Sequence, residues 1–351
     1  MVKLEAQRQA LDVLSAYGLD GARLRPIDTG LINRTFRIEH PKRGTFALQR
    51  LNPIFGAEVN QDIERVTEHL SAAGMLTPRL VRTQDGAREV VVDDAIWRLL
   101  TWVDGRCLDR IDHPDRARSA GRLLGRFHRI LADFTAPFAH ARVGVHDTQR
   151  HLEGLRQALE NDVNHPAYAQ VAPIGTAILA HATRLPRLPL DLDRVVHGDP
   201  KATNLLFDPT TDEAISLVDL DTLARMPVVL ELGDAFRSWC SISREDDDRA
   251  GFDLDLFSAA VQGYAKGSAN FLTPAERAAL VIATETIAIE LSARFARDAL
   301  EDRYFGWNQD RFPTRTAHNL VRARNQLSLA QAVLEVRNQA EIRARHAFEE
   351  F

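Results

Sequence analysis

The sequence of 351 residues is poor in the features that would make it a redox, membrane or nucleic-acid protein. It has two cysteines, Cys107 and Cys240, too far apart for a disulfide framework or a zinc spacing, so two reduced thiols in a cytosolic protein are expected. No apolar run approaches the roughly 18 residues that a membrane span needs. Residues 1–8 mix charged with apolar side chains and contain no apolar targeting segment. The formal net charge of −5 offers no basic excess to a nucleic-acid polyanion. Internal repeats, low-complexity tracts and a Gly-x-Gly-x-x-Gly run are all missing. What remains is a soluble, cytoplasmic globular chain, 45% apolar and long enough for two lobes.

The apolar pattern divides the chain in two. Leu4, Leu11 and Leu14 at helical spacing predict a helix over 3–17 that stops at Gly18. The period then shortens, predicting strands at 23–29, 34–39 and 45–51, a helix at 58–73, and strands at 79–83, 89–93 and 95–103. Asp104-Gly105 is a turn signal that ends this stretch, placing a hinge near 101–106. Beyond Pro114, helices are expected at 114–133, 147–162, 166–183, 230–241, 252–265, 274–300 and 316–349. One β-rich island, 193–221, interrupts them. The fold class is therefore α+β, with a small antiparallel β lobe over 1–103 and a large helical lobe over 104–351.

The chemistry is concentrated in that island. Val195-Val196 leads into His197-Gly198-Asp199-Pro200-Lys201-Ala202-Thr203-Asn204, followed by the apolar Leu205-Leu206-Phe207. A second apolar strand, 215–218, ends in Asp219-Leu220-Asp221. Phosphoryl transfer from ATP requires positioning and charge neutralisation more than covalent chemistry. One carboxylate must orient the acceptor hydroxyl and take its proton, while hard oxygen ligands hold Mg²⁺ against the phosphates. Asp199, Asn204 and Asp219 supply one proton acceptor and two Mg²⁺ ligands. The spacing Asp-x4-Asn, then a strand and Asp, matches the catalytic-loop and metal-Asp logic of protein kinases. In such a constellation His197 supports the loop by hydrogen bonding rather than acting as base. Asp208 reads as turn chemistry, Asp212 and Glu213 as a solvated hairpin end. The acidic run Arg244-Glu245-Asp246-Asp247-Asp248-Arg249 reads as a solvated helix start.

The nucleotide side is less regular. The strand that would carry a phosphate-pairing lysine reads Ala47-Leu48-Gln49-Arg50. Ala47 and Gln49 share one face of a strand, Leu48 and Arg50 the other. If Leu48 packs into the core, Gln49 faces the nucleotide; an inward Arg50 would instead supply the missing cation. Thr29-Gly30-Leu31-Ile32-Asn33 must then cover the phosphates, with backbone N–H groups and Asn33.

These residues resemble the aminoglycoside phosphotransferase and choline kinase superfamily, and within it the N-acetylhexosamine 1-kinases. The resemblance rests on His197-Gly198-Asp199 with Asn204 and on Val218-Asp219-Leu220-Asp221-Thr222. It extends to Gly30-Leu31-Ile32-Asn33-Arg34-Thr35-Phe36, to 46–55, to Trp97-Arg98 and to 231–237. It also takes in Ala293-Arg294-Phe295, Asp302-Arg303-Tyr304-Phe305 and 318–322, and so spans nearly the whole chain. It implies a bilobal protein-kinase-like fold, with the nucleotide on the β lobe and the catalytic loop and acceptor on the helical one. ATP would be co-substrate, Mg²⁺ the cofactor, Asp199 the base that meets the acceptor, and Asn204 and Asp219 the metal ligands. Gln49 would face the nucleotide, adenine would bind backbone around Thr101 and Val103, and His197 and Asp221 would support the site. Arg294 and Tyr304 would contact the sugar. From the residues alone, Arg294 needs a partner among apolar neighbours, whether Asp298, a ligand or an active-site acid. Tyr304 and Trp307 read equally well as packing aromatics.

Three departures from that family's pattern bear on the acceptor: Leu31 in place of a histidine, Pro200 in place of a threonine, and Ala224-Arg225-Met226-Pro227 in place of Met-Pro-Gly. The expected function is transfer of the γ-phosphate to a sugar hydroxyl, foremost the anomeric hydroxyl of an N-acetylhexosamine or related sugar. The alternatives are an aminoglycoside or amino-alcohol acceptor, or a pseudokinase that binds without catalysing. Neither nucleic acid nor a membrane is an expected partner.

Overall fold

The computed structural model describes residues 2–27, 33–140 and 145–350. Its first helix, α1 (Val2–Ala16), ends at Gly18, whose φ of +63° lets the Leu19 N–H close onto the Leu14 carbonyl at 3.0 Å. Six strands follow: β1 (Arg23–Ile27), β2 (Arg34–His40), β3 (Gly44–Arg50), β4 (Leu80–Val81), β5 (Val90–Val92) and β6 (Ala95–Thr101). They form one antiparallel sheet, β1-β2-β3-β6-β4, with β5 on the free end of β6. Strand alternation assigns its faces. Ile38, Leu48 and Leu99 are buried in one cluster with Val13, Leu14 and Tyr17 of α1. The opposite face meets α2 (Glu58–Ala72), whose Val59, Ile63, Val66 and Leu70 recur at helical spacing and join the main core.

The chain leaves β6 and enters the helical lobe through β7 (Arg106–Cys107), a short strand that the sequence pattern does not announce. Next come α3 (Pro114–Ile130), α4 (Thr148–Asn161), α5 (Tyr168–Ala182) and β8 (Asp193–Val196). β9 (Leu205–Phe207), β10 (Ala214–Leu217) and β11 (Ala224–Pro227) complete two small antiparallel sheets, β10-β9-β7 and β11-β8. The remaining helices are α6 (Val228–Trp239), α7 (Leu254–Ser268), α8 (Pro274–Ala278), α9 (Leu280–Glu301) and α10 (Arg315–Glu349). The expected helix over 274–300 is thus two, the first started by a Thr273–Glu276 capping box. The α3 and α7 backbones touch: a Cβ on Gly121 would lie 2.0 Å from the Ala260 carbonyl.

The acidic run 244–248 is not a helix start. It forms turns because α10 takes its polar groups. Asp246 pairs with His318 at 2.6 Å and Asp248 with Arg324 at 2.6 Å, while Asn325 Nδ2 donates to the carbonyls of Arg244 and Asp247. Among the described residues no helix is long and apolar enough to cross a membrane.

Candidate active site

β8 delivers His197-Gly198-Asp199 to a loop whose backbone is anchored at four groups by α6. Glu231, fully buried, accepts from the N–H groups of His197 (2.8 Å) and Gly198 (3.1 Å) through one oxygen and faces His128 Nε2 at 2.7 Å with the other. Trp239 Nε1 donates to the Pro200 carbonyl at 2.8 Å, and Ser238 Oγ accepts from Ala202 N–H at 3.1 Å. Gly198 has a φ of +84°, and a Cβ there would lie 2.1 Å from the Thr222 carbonyl, so only glycine fits.

His197 is fully buried and its ring nitrogens have different work. Nδ1 accepts from Asp199 N–H at 3.3 Å, which leaves Nε2–H to donate to the Val218 carbonyl at 2.9 Å. Burial lowers its pKa against the opposing pull of Glu231 and Asp199, so the neutral ring is favoured. The side chain therefore ties the Asp199 loop to the strand that ends in Asp219. Val218 N–H, donating to the Asn204 carbonyl at 2.9 Å, is a second tie between them.

Around Asp199 the charges are arranged for an ionised carboxylate. Burial works to raise its pKa, but Lys201, 2.5 Å away, outweighs burial and holds the carboxyl below its usual range. Burial likewise opposes the Lys201 charge, and Asp199 with Asp219 overcomes it, keeping the ammonium protonated. Asn204 donates from Nδ2 to the Asp199 carbonyl (2.8 Å) and carboxylate (3.1 Å). With its nitrogen so engaged, Asn204 offers its amide oxygen to a cation. Asp219 is the contrary case. Burial and the nearby Asp221 carboxylate push its pKa up to about 6, and its backbone is left-handed, with a φ of +64°. A buried carboxylate whose neighbour repels its charge is a place where a divalent cation gains most. Two hard oxygen donors, from Asn204 and Asp219, fit a metal that takes its other ligands from phosphates and water. No group of three or more His, Cys, Asp or Glu side chains that could hold a metal occurs among the described residues.

The β lobe reaches this centre through polar side chains on the α2 face of its sheet. Leu48 is fully buried in the α1 cluster, which turns Gln49 to the other face. Gln49 pairs in register with Arg98 of β6, and its Oε1 accepts from Arg98 Nε (2.9 Å) and Nη2 (2.6 Å). Arg98 is 1% exposed and forms an ion pair with Asp221. Asn33 donates to the other Asp221 oxygen and accepts the Asn52 N–H at 2.9 Å. Positions 29–32 of the turn expected to cover the phosphates lie outside the described residues. Near the hinge, Thr101 N–H donates to the Arg79 carbonyl at 2.8 Å, so that amide is engaged within the lobe. Val103 is buried beside it.

Asn33, Gln49, His197, Asp199, Asn204, Asp219 and Asp221 thus converge, while Arg294 and Tyr304 belong to a second group on and after α9. Arg294 stands 3.7 Å from Glu290 and 3.4 Å from the Tyr304 hydroxyl, with Tyr304 largely exposed. Asp298 is not its partner. That carboxylate accepts the N–H groups of Arg303, Tyr304 and Phe305 and the Asn319 amide, capping the turn instead. Glu290 is fully buried and holds His146 Nδ1 (2.9 Å) and Thr148 Oγ1 (2.7 Å). Both of these residues line a cavity of about 1280 Å³ that also touches Gly198 of the Asp199 loop and Thr222 of the turn after Asp219. His146 and Thr148, held by Glu290, therefore border the same space as Gly198, while Arg294 and Tyr304 are not among its lining residues.

Lys201, Glu231 and Arg98 are site residues that sequence reasoning did not single out. Lys201 had a usable signal, being one of only four lysines beside forty arginines. Glu231 and Arg98 lie in segments that carry the family resemblance, but no local pattern gave either a role, since each acts across the fold.

A sheet-plus-helix kinase-like fold whose catalytic loop, Asp-bearing strand end and cleft meet in this way defines the class of small-molecule phosphotransferases. The phosphotransferase enzyme family (APH) matches residues 23–269, well over half of the chain, and the chain belongs to that family. Solved structures share its fold over nearly the whole length. A microcompartment-associated aminopropanol kinase is similar at 19% identity and TM-score 0.63, covering 96% of this chain and 99% of that one. Amicoumacin kinase hAmiN, in complex with AMP-PNP, Ca²⁺ and Ami, is similar at 13% identity and TM-score 0.62, covering 93% and 92%. An aminoglycoside phosphotransferase from Alicyclobacillus acidocaldarius is similar at 17% identity and TM-score 0.58, covering 94% and 96%.

Proposed function

We propose that the protein transfers the γ-phosphoryl group of ATP to a hydroxyl of a neutral sugar, foremost the anomeric hydroxyl of an N-acetylhexosamine. The observation that carries the reaction is the assembly of Asp199, Lys201, Asn204 and Asp219 on one rigid loop pair. Asp199, ionised and aimed by Asn204 and Lys201, orients the acceptor hydroxyl and receives its proton. Asn204 and Asp219 would hold Mg²⁺, which would supply neutralisation of phosphate charge when bound. Lys201, between two carboxylates, adds the remaining positive charge beside the transferred group.

The sugar reading is supported by the state of the acidic run. Antibiotic polycations require unpaired carboxylates, whereas Glu245 and Asp246 are shared among Arg237, Arg322, His318 and Arg311. A neutral acceptor needs no such charge and suits the His146 and Thr148 side of the cavity. A second reading, an amino-alcohol acceptor, is favoured by Glu245 alone, which is 38% exposed and lies within electrostatic reach of Lys201.

A coupled ADP-release screen over free sugars, aminoglycosides and amino-alcohols tests this directly. Turnover with N-acetylhexosamines is expected; turnover confined to amino-alcohols would move the assignment to the second reading, and none with any acceptor would remove the enzyme. With the preferred acceptor in hand, Arg294→Ala is expected to raise its KM about tenfold or more, the worth of a charged hydrogen bond. Steady-state kinetics with ATP as internal control would check it, and an unchanged acceptor KM would make Arg294 structural.

A further inference from the structure

We propose that Arg98 is the cation that organises the metal–nucleotide site, working through Asp221 as a positioning residue in place of a lysine on β3. The inference rests on the kinase reading above and extends it. Protein kinases pair a strand lysine with a glutamate on the neighbouring helix, and both must be in place for activity. Here the strand position holds Gln49, and α2 presents Asn60 to Arg98 Nη1 at 3.3 Å. The acid one turn further along α2, Glu64, is turned away to Arg82 (2.7 Å) and Arg88 (2.6 Å). Neither half of the usual pair is present.

The charge has moved one strand over. Gln49 and Arg98 are opposite partners in the β3–β6 ladder, so their side chains share the face toward the cleft. Gln49 Oε1 takes Nε and Nη2, which fixes the plane of the guanidinium and directs Nη1 across the cleft to Asp221. Both members of the Arg98–Asp221 pair are 1% exposed. A pair buried to that degree is costly to break, because the abandoned charge has no solvent to fall back on.

Its position gives it consequence. Asp221 lies two residues after Asp219, whose carboxyl is already repelled by it. Without Arg98 the Asp221 carboxylate would keep only the Asn33 hydrogen bond, and its repulsion would drive Asp219 away from it. With Arg98 and Asn33 gripping Asp221 from the β lobe, and His197 gripping Val218 from the other side, Asp219 is held between fixed points. The left-handed backbone at Asp219 is sustained by those anchors.

Calorimetric titration with ADP and with AMP-PNP, each with and without Mg²⁺, tests this without an acceptor. Arg98→Gln is expected to weaken Mg²⁺-dependent binding of AMP-PNP by about tenfold or more, as loss of a partner behind a metal ligand does. Metal-free ADP should bind nearly as before. The double variant Gln49→Lys with Arg98→Gln, which returns the cation to β3, should recover most of the Mg²⁺-dependent affinity. Should Arg98→Gln fail to fold, the double variant and Arg98→Lys carry the same test. Equal Mg²⁺-dependent binding by the wild type and the charge-free variant overturns the role of Arg98 alone. A matching loss of metal-free ADP binding also overturns it, since Arg98 would then act on phosphate directly. No metal–nucleotide binding by the wild type overturns the kinase reading and this proposal together.

Discussion

Asp199→Asn is expected to lower kcat by about a thousandfold, within the range that a positioned general base supplies. The substitution keeps the shape of the side chain, and an amide oxygen can still accept from Lys201 and from Asn204 Nδ2, as the carboxylate does now. The loop should not collapse, because its backbone is anchored by Glu231, Trp239 and Ser238 rather than by Asp199 itself. What is lost is the ability to take a proton, together with one negative charge beside Lys201. Melting temperature and nucleotide affinity should therefore stay close to wild type while turnover falls. A variant that retains most of its kcat would sink the assignment of Asp199 as base.

Asp219→Asn should act on binding rather than on proton transfer. Asparagine tolerates the left-handed backbone at this position, whereas alanine there would add about 1 kcal/mol of strain and confuse the result. Removing the charge is expected to weaken Mg²⁺-dependent nucleotide binding by about a hundredfold, read as the change in a calorimetric Mg²⁺ titration. The same substitution should raise the melting temperature of the ligand-free protein. Asp219 and Asp221 repel one another in a buried setting, and that repulsion disappears with the charge. Opposite signs in the two measurements are the signature of a carboxylate kept for a cation at a cost in stability. A Mg²⁺ titration that matches wild type would refute the metal role outright.

How much of this site could be read from the chain depends on distance along it. His197, Asp199 and Asn204 lie within one loop, and Asp219 ends the next apolar strand but one. Their mutual placement follows from strand, turn and strand, which alternating valines, leucines and isoleucines signal locally. The antiparallel β lobe and the helices after Pro114 were legible for the same reason. The acidic run at 244–248 misled because charge density looks alike in a solvated helix and in a loop strapped to another element. What decides between them is α10, some 70 residues away, through His318 and Arg322. Arg294 shows the same limit. Its local geometry permitted Asp298 as partner, yet Asp298 is occupied by the backbone of 303–305, and Glu290 stands in its place.

By itself, then, the sequence determined most of the elements in order, the α+β fold and the short segments that carry Asp199, Asn204 and Asp219, because each is set by short-range pattern, whereas β7 and the break between α8 and α9 were not. The tertiary structure alone decided what holds them. Arg98 meets Asp221 across 123 residues only because β3 and β6 pair in one register and the lobes close face to face. Glu231 reaches the His197 and Gly198 amides only because α6 packs beneath the loop. Such contacts carry no periodic trace along the chain, since burial and register, rather than spacing, bring their partners together.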